Sequence, residues 1–86
     1  MRTIHKYPLS PVYNSINMPR GAKVLCIQVQ EGSLYIWAEV ENTEPVEARQ
    51  FRTYGTGFQM PDVLEDYVGT FQLLGLVFHV YEEKSV

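Results

Sequence analysis

The side chains in this chain that could do chemistry are few and far apart. The histidines are His5 and His79, and the single cysteine is Cys26. A structural zinc site takes four ligands, typically cysteine or histidine at close spacing. One thiolate and two distant imidazoles do not supply that set, and no HxH or CxxC pair is present. No metal or other cofactor is therefore expected. A catalytic nucleophile needs an adjacent base. Cys26 has no histidine near it in sequence and reads as a small buried hydrophobe. Ser10, Ser15 and Ser33 fall in turn-like contexts, outside any nucleophile-elbow pattern. Asp62, Glu65 and Asp66 cluster, but acids gathered in one polar segment read as a solvated loop. His79, between Phe78 and Val80, reads as a partly buried strand residue bonded to a neighbour such as Thr70. The residues predict a protein that is not an enzyme.

Two other features could bind rather than react. Gly55-Thr56-Gly57 lacks the spacing of a dinucleotide or P-loop fingerprint and leads into no helix, so it reads first as a bulge or sharp bend. Arg49 and Arg52 precede it, and a guanidinium beside exposed amides could grip a small phosphate-bearing ligand. The second feature is a surplus of aromatic residues. Tyr35, Trp37, Tyr54 and Tyr81 alternate away from the residues assigned to the core. They either face a second sheet or form an exposed patch of the Tyr-, Trp- and Arg-rich kind that marks interaction surfaces.

These residues must be held by strands. Lys23–Glu41 predicts a β-hairpin closed at Glu31-Gly32, where glycine supplies a positive φ. Pairing across that turn sets Val29 opposite Leu34, Ile27 opposite Ile36 and Leu25 opposite Ala38 on one face. Gln28 with Tyr35 and Cys26 with Trp37 take the other, since side chains alternate with period two. Tyr67–Glu82 predicts a second hairpin about Leu74-Gly75. Its core face pairs Phe71 with Phe78, Leu73 with Leu76 and Gly69 with Val80. Its other face pairs Thr70 with His79, Gln72 with Val77 and Val68 with Tyr81. Shorter extended pieces are expected at Thr3–Leu9, Ser15–Met18, Gln50–Tyr54 and Phe58–Met60. Pro19-Arg20-Gly21 reads as a turn, Asn42–Ala48 as a polar surface connector, Pro61–Asp66 as a loop or one helical turn, and Glu83–Val86 as a frayed tail. No stretch has helical periodicity, repeats or low complexity. The expected fold is all-β: a small antiparallel sandwich or partly closed barrel of six to seven short strands, forming a single domain over residues 1–86.

With 86 residues the core is modest, and association of copies is one way to add buried area. The net charge is −3 and the seven Lys and Arg are scattered, so direct nucleic-acid binding, which needs a cationic stripe, is not expected. One cysteine excludes an intramolecular disulfide. With no signal-peptide pattern after Met1 and no long apolar run, a soluble cytoplasmic protein without membrane contact is expected.

The segments MRTIHKYPL, MPRGAKVLCIQVQ, LYIWAEVE, RQFRTYGTG and YVGTFQLLGLVFHVYE, in this order, resemble a family of small proteins encoded by tailed phages and prophages and catalogued as a domain of unknown function. The resemblance implies a phage accessory protein in the host bacterial cytoplasm, and it carries no catalytic residue. The function expected is binding. In the first form, a homo-oligomer occludes the surface of a bacterial defence component or other host protein, with Tyr35, Trp37, Arg52 and Tyr54 as anchors. In the second, an oligomeric sponge sequesters a nucleotide-like immune signal, with Arg49, Arg52 and the Gly55, Thr56 and Gly57 amides on phosphate and a tyrosine stacked on the base. In the third, the protein is a minor virion or assembly component.

Overall fold

In the computed structural model, which describes residues 1–84, seven strands form two antiparallel sheets. They are β1 (Arg2–Pro8), β2 (Tyr13–Pro19), β3 (Lys23–Gln30), β4 (Ser33–Glu41), β5 (Val46–Gly55), β6 (Glu65–Leu73) and β7 (Leu76–Glu83). Sheet A has the order β1-β4-β3 and sheet B the order β2-β5-β7-β6. The expectation of an all-β sandwich holds. The sheets remain open and do not close into a barrel.

The chain changes sheet at short connections. Leu9 donates its amide to the Leu34 carbonyl as the chain leaves sheet A, and Thr53 donates to Val12 as it joins sheet B. Pro19–Ala22 is the expected turn, with Gly21 at φ +81° and the Ala22 amide bonded to the Pro19 carbonyl at 3.1 Å. Both hairpins close through two consecutive residues of positive φ, Glu31-Gly32 (+51°, +79°) and Leu74-Gly75 (+52°, +78°). This turn geometry matches the right-handed twist of the strands it joins.

Between the sheets lie Ile36, Ala38 and Val40 of β4, Ile27 of β3, Met18 of β2, Phe51 of β5, Phe71 of β6 and Val80 of β7. Gly69 faces the Ile27 side chain, whose nearest carbon is 3.6 Å from where a Cβ would stand, and so brings β6 close to β3. The Phe71 and Phe78 rings stack at 5.2 Å in the expected register.

Each hairpin departs from the expected register at one bulge. In the first, Val29–Leu34, Ile27–Ile36 and Cys26–Trp37 pair as expected, but Val24 instead of Leu25 lies opposite Ala38. The extra residue, Leu25, is 44% exposed. In the second, Tyr67 instead of Val68 lies opposite Tyr81. A bulge puts two residues opposite one, so every side chain beyond it changes face relative to unbroken alternation.

The strand ends also differ. β5 begins at Val46, because β2 pairs with it down to Pro19 opposite Val46, so the connector shortens to residues 42–45. Phe58–Met60 is not a strand, and Pro61–Leu64 is irregular without a helical turn. Glu65 and Asp66 belong to β6, and Glu83 to β7 instead of a tail. Of the tail expected there, residues 85 and 86 lie outside the described residues.

Candidate functional site

Alternation along β4 sends Leu34, Ile36, Ala38 and Val40 inward and Tyr35, Trp37, Glu39 and Glu41 outward. On β5 it sends Arg49, Phe51 and Thr53 inward and Gln50, Arg52 and Tyr54 outward. Trp37 with Tyr35 and Arg52 with Tyr54 therefore stand on opposite outer faces of the sandwich. The expected anchors form two surfaces.

The outer face of sheet B is an ordered network. Arg52 reaches from β5 to the Glu83 carboxylate (Nη2 to Oε1, 2.7 Å), and its guanidinium lies 5.5 Å from the centre of the Tyr13 ring. The Tyr54 hydroxyl donates to the Glu65 carboxylate, whose oxygens lie at 2.8 and 2.9 Å. Tyr81 takes edge-to-face contacts from Tyr54 on one side and Tyr67 on the other, at 5.8 and 5.5 Å between ring centres. A chain of hydrogen bonds continues from the Tyr67 hydroxyl to Thr70 (2.6 Å), from Thr70 to His79 Nδ1 (3.0 Å), and from His79 Nε2 to Thr56 (2.8 Å). The Thr56 hydroxyl donates to the Val77 carbonyl, so it accepts from Nε2–H and leaves Nδ1 to accept from Thr70. His79 keeps the expected Thr70 partner and adds Thr56.

Residues 56–64 join β5 to β6 past the intervening β7, and both ends of this segment are fastened to the same face. Thr56 is held by His79, and Glu65, which follows the segment, by Tyr54. Tyr54, expected as a binding anchor or as a residue facing a second sheet, is only 8% exposed. Burial raises the pKa of its phenol above the ordinary tyrosine range, and the Glu65 carboxylate raises it further. Tyr13 (48% exposed) and Tyr67 (58%) remain open beside it, and the adjoining segment presents Met60, Val63 and Leu64 to solvent.

The outer face of sheet A is sparser. The Tyr35 and Trp37 rings meet edge to face at 5.8 Å, and the Lys6 ammonium lies 4.4 Å from the centre of the Tyr35 ring. Cross-strand neighbours place Lys6, Trp37 and Cys26 in one row. A shallow groove of about 230 Å³ lies among Ile4, Leu25, Cys26, Gln28 and Trp37. Trp37 and Cys26 are half-buried here, on the face that alternation assigned them, so Cys26 is less covered than the buried hydrophobe expected.

The residues expected to hold phosphate do not converge. Arg49 points inward, where it forms a two-point ion pair with Glu82 (2.6 and 2.8 Å) and donates to the Ala22 carbonyl. Its pKa is pushed further above the ordinary arginine value by the hydrogen bond to Glu82 and by the Glu82 charge. Arg52 lies on the other side of β5. In Gly55-Thr56-Gly57 the Thr56 amide donates to Val77 (3.1 Å), and the Phe58 amide closes a turn onto the Gly55 carbonyl (3.0 Å). Gly57, at φ +87°, makes this bend possible.

The sequence reading missed Tyr13, Tyr67 and Glu65 on the tyrosine face. Gly69 was the available signal for the bulge that turns Tyr67 outward, since glycine within a strand often marks one. For Tyr13 and Glu65, the signal appears only once β2 and β6 are extended to include them.

Across residues 1–86 the chain matches a family model described as Domain of unknown function (DUF7352). No curated protein and no solved structure matches it.

Proposed function

The chain belongs to the DUF7352 family of unknown function, and we propose that it is a phage accessory protein that works by binding. Its tyrosine face docks on a basic surface of a bacterial host protein, such as a defence component, in the host cytoplasm and blocks that surface. The phage origin rests on the resemblance of segments such as MRTIHKYPL and YVGTFQLLGLVFHVYE to phage-encoded proteins. The docking reading rests on one observation: Tyr13, Arg52, Tyr54, Tyr67 and Tyr81 share a face and are already fixed there by ring contacts and hydrogen bonds.

Tyrosine and arginine are enriched among residues that dominate binding energy. Side chains held in place before contact lose little conformational entropy on binding. The charge of this face fits a basic partner. Glu65 and Glu83 stand on it beside Arg52, itself paired to Glu83, on a chain of net charge −3. The open rings of Tyr13 and Tyr67 accept lysine or arginine over their faces. A groove that normally holds nucleic acid has this character, and occluding it would inhibit its owner.

The test compares the full chain with its Tyr13→Ser/Tyr67→Ser variant as bait in host cells, with chemical cross-linking before capture. Both positions are solvent-exposed, so the variant folds, with a melting temperature lowered by only a few degrees. The parent captures a basic host protein and lowers that protein's affinity for nucleic acid, whereas the variant does neither. Equal capture by both would remove this face from the function. A thermal-shift series with cyclic nucleotides and ADP-ribose should give no stabilisation, because Arg49 and Arg52 are both held by glutamates.

A further inference from the structure

We infer that the outer face of sheet A is covered by the same face of a second copy of the chain, related by a two-fold axis near Trp37. The shape of the molecule comes first. Its Cα atoms span 40 × 35 × 15 Å, a slab, with a radius of gyration of 13.1 Å. A compact chain of this length has about 12 Å. The accessible surface is 5813 Å², where a monomeric protein of 9.9 kDa exposes about 5200 Å². The surplus of about 600 Å² approaches the roughly 800 Å² per partner that a stable interface removes from water.

The composition of the face points to a copy of itself. The β3 bulge pushes Leu25 outward, and Ile4, 57% exposed, rises beside it from the edge strand β1. The groove that these two border with Cys26, Gln28 and Trp37 is about 230 Å³, enough for one large aliphatic side chain. Knob and socket thus lie in one patch, as a two-fold interface requires, because each residue i that meets j is matched by j meeting i. The rim carries both signs, with Arg2, Lys6 and Lys23 against Glu39 and Glu41. Mixed charge suits a self-complementary contact better than a partner of one sign. The Tyr35 ring is already fixed by Trp37 and Lys6, so little ordering is needed on contact. This inference uses none of the residues of the tyrosine face.

Sedimentation of the full chain at about 10 μM should give twice the monomer mass. Ile4→Glu and Leu25→Glu place a carboxylate in the apolar patch at positions already exposed to water. Each variant should keep the parent circular dichroism and weaken self-association by at least about tenfold. A short bis-maleimide should join Cys26 to Cys26 of the second copy in the parent and fail to do so in either variant. A parent that stays monomeric at about 100 μM, a dimer that survives either charged substitution, or an assembly larger than a dimer would overturn the inference.

Discussion

The two outer faces of the sandwich are built from similar residues and behave differently. On sheet B, tyrosines, an arginine, glutamates and a histidine are tied to one another and to both ends of the 56–64 segment, and Tyr54 is buried among them. On sheet A, Tyr35 and Trp37 touch each other and Lys6, and the apolar side chains around them lie open. Being on the outside of a sheet does not make an aromatic residue available. What decides it is whether the chain later passes beside that face and supplies polar partners. Tyr54 there becomes part of the stability of the monomer, while the partly exposed Trp37 keeps apolar surface for another molecule.

The contrast can be broken by truncation. Tyr54→Ala should cost about 3 kcal/mol, since it empties a buried site and leaves Glu65 without its donor. Trp37→Ala should cost less, about 1–2 kcal/mol in the isolated monomer, because the ring is only partly covered and fills no closed site. Denaturant midpoints at low protein concentration measure both. Equal losses would mean that the two faces are not different in kind.

Alkaline titration sharpens the same comparison. The Tyr54 phenol is raised by burial and by Glu65, and Tyr7 is raised by burial. Above the ordinary tyrosine pKa near 10, the unfolded chain releases these protons before the folded chain does, so stability falls as pH rises. Tyr54→Phe should make that decline shallower and leave Tyr7 to account for the remainder. Melting temperatures followed from pH 8 to about 11 would show it, and an unchanged slope would separate Tyr54 from the effect.

The smallest effect belongs to a point outside both faces. Leu74 holds φ +52° at a hairpin tip and is 93% exposed, a conformation in which its Cβ is unfavourable. Leu74→Asn should stabilise the fold by about 0.5–1 kcal/mol and leave self-association and partner capture as they were.

Much of the architecture was legible in the residues. Glu31-Gly32 and Leu74-Gly75 mark their hairpins, because each ends in a glycine that takes positive φ without steric cost between two alternating apolar runs. The pairs Ile27–Ile36 and Phe71–Phe78 follow from alternation counted outward from those turns. The count fails at Leu25 and Val68, where one extra residue in one strand shifts all that follows. It also fails at Val46–Ala48 and Glu65–Asp66, polar stretches that are strand because a neighbouring strand runs alongside them. For the candidate site, the aromatic and arginine types were readable, whereas their division between two faces was not.

The sequence by itself determined the all-β class, the two glycine-tipped hairpins and most of the core, since turn chemistry and period-two alternation are local and act within about ten residues. Only the tertiary structure decided that Tyr54 is buried while Trp37 stays half-open, that Arg49 and Arg52 part to opposite sides of β5, and that Tyr67 joins Tyr13 on one surface. Those outcomes depend on sheet order, on two bulges, and on which face the 56–64 segment is fastened to. All three are set by contacts between residues distant in the chain, and local pattern does not encode them.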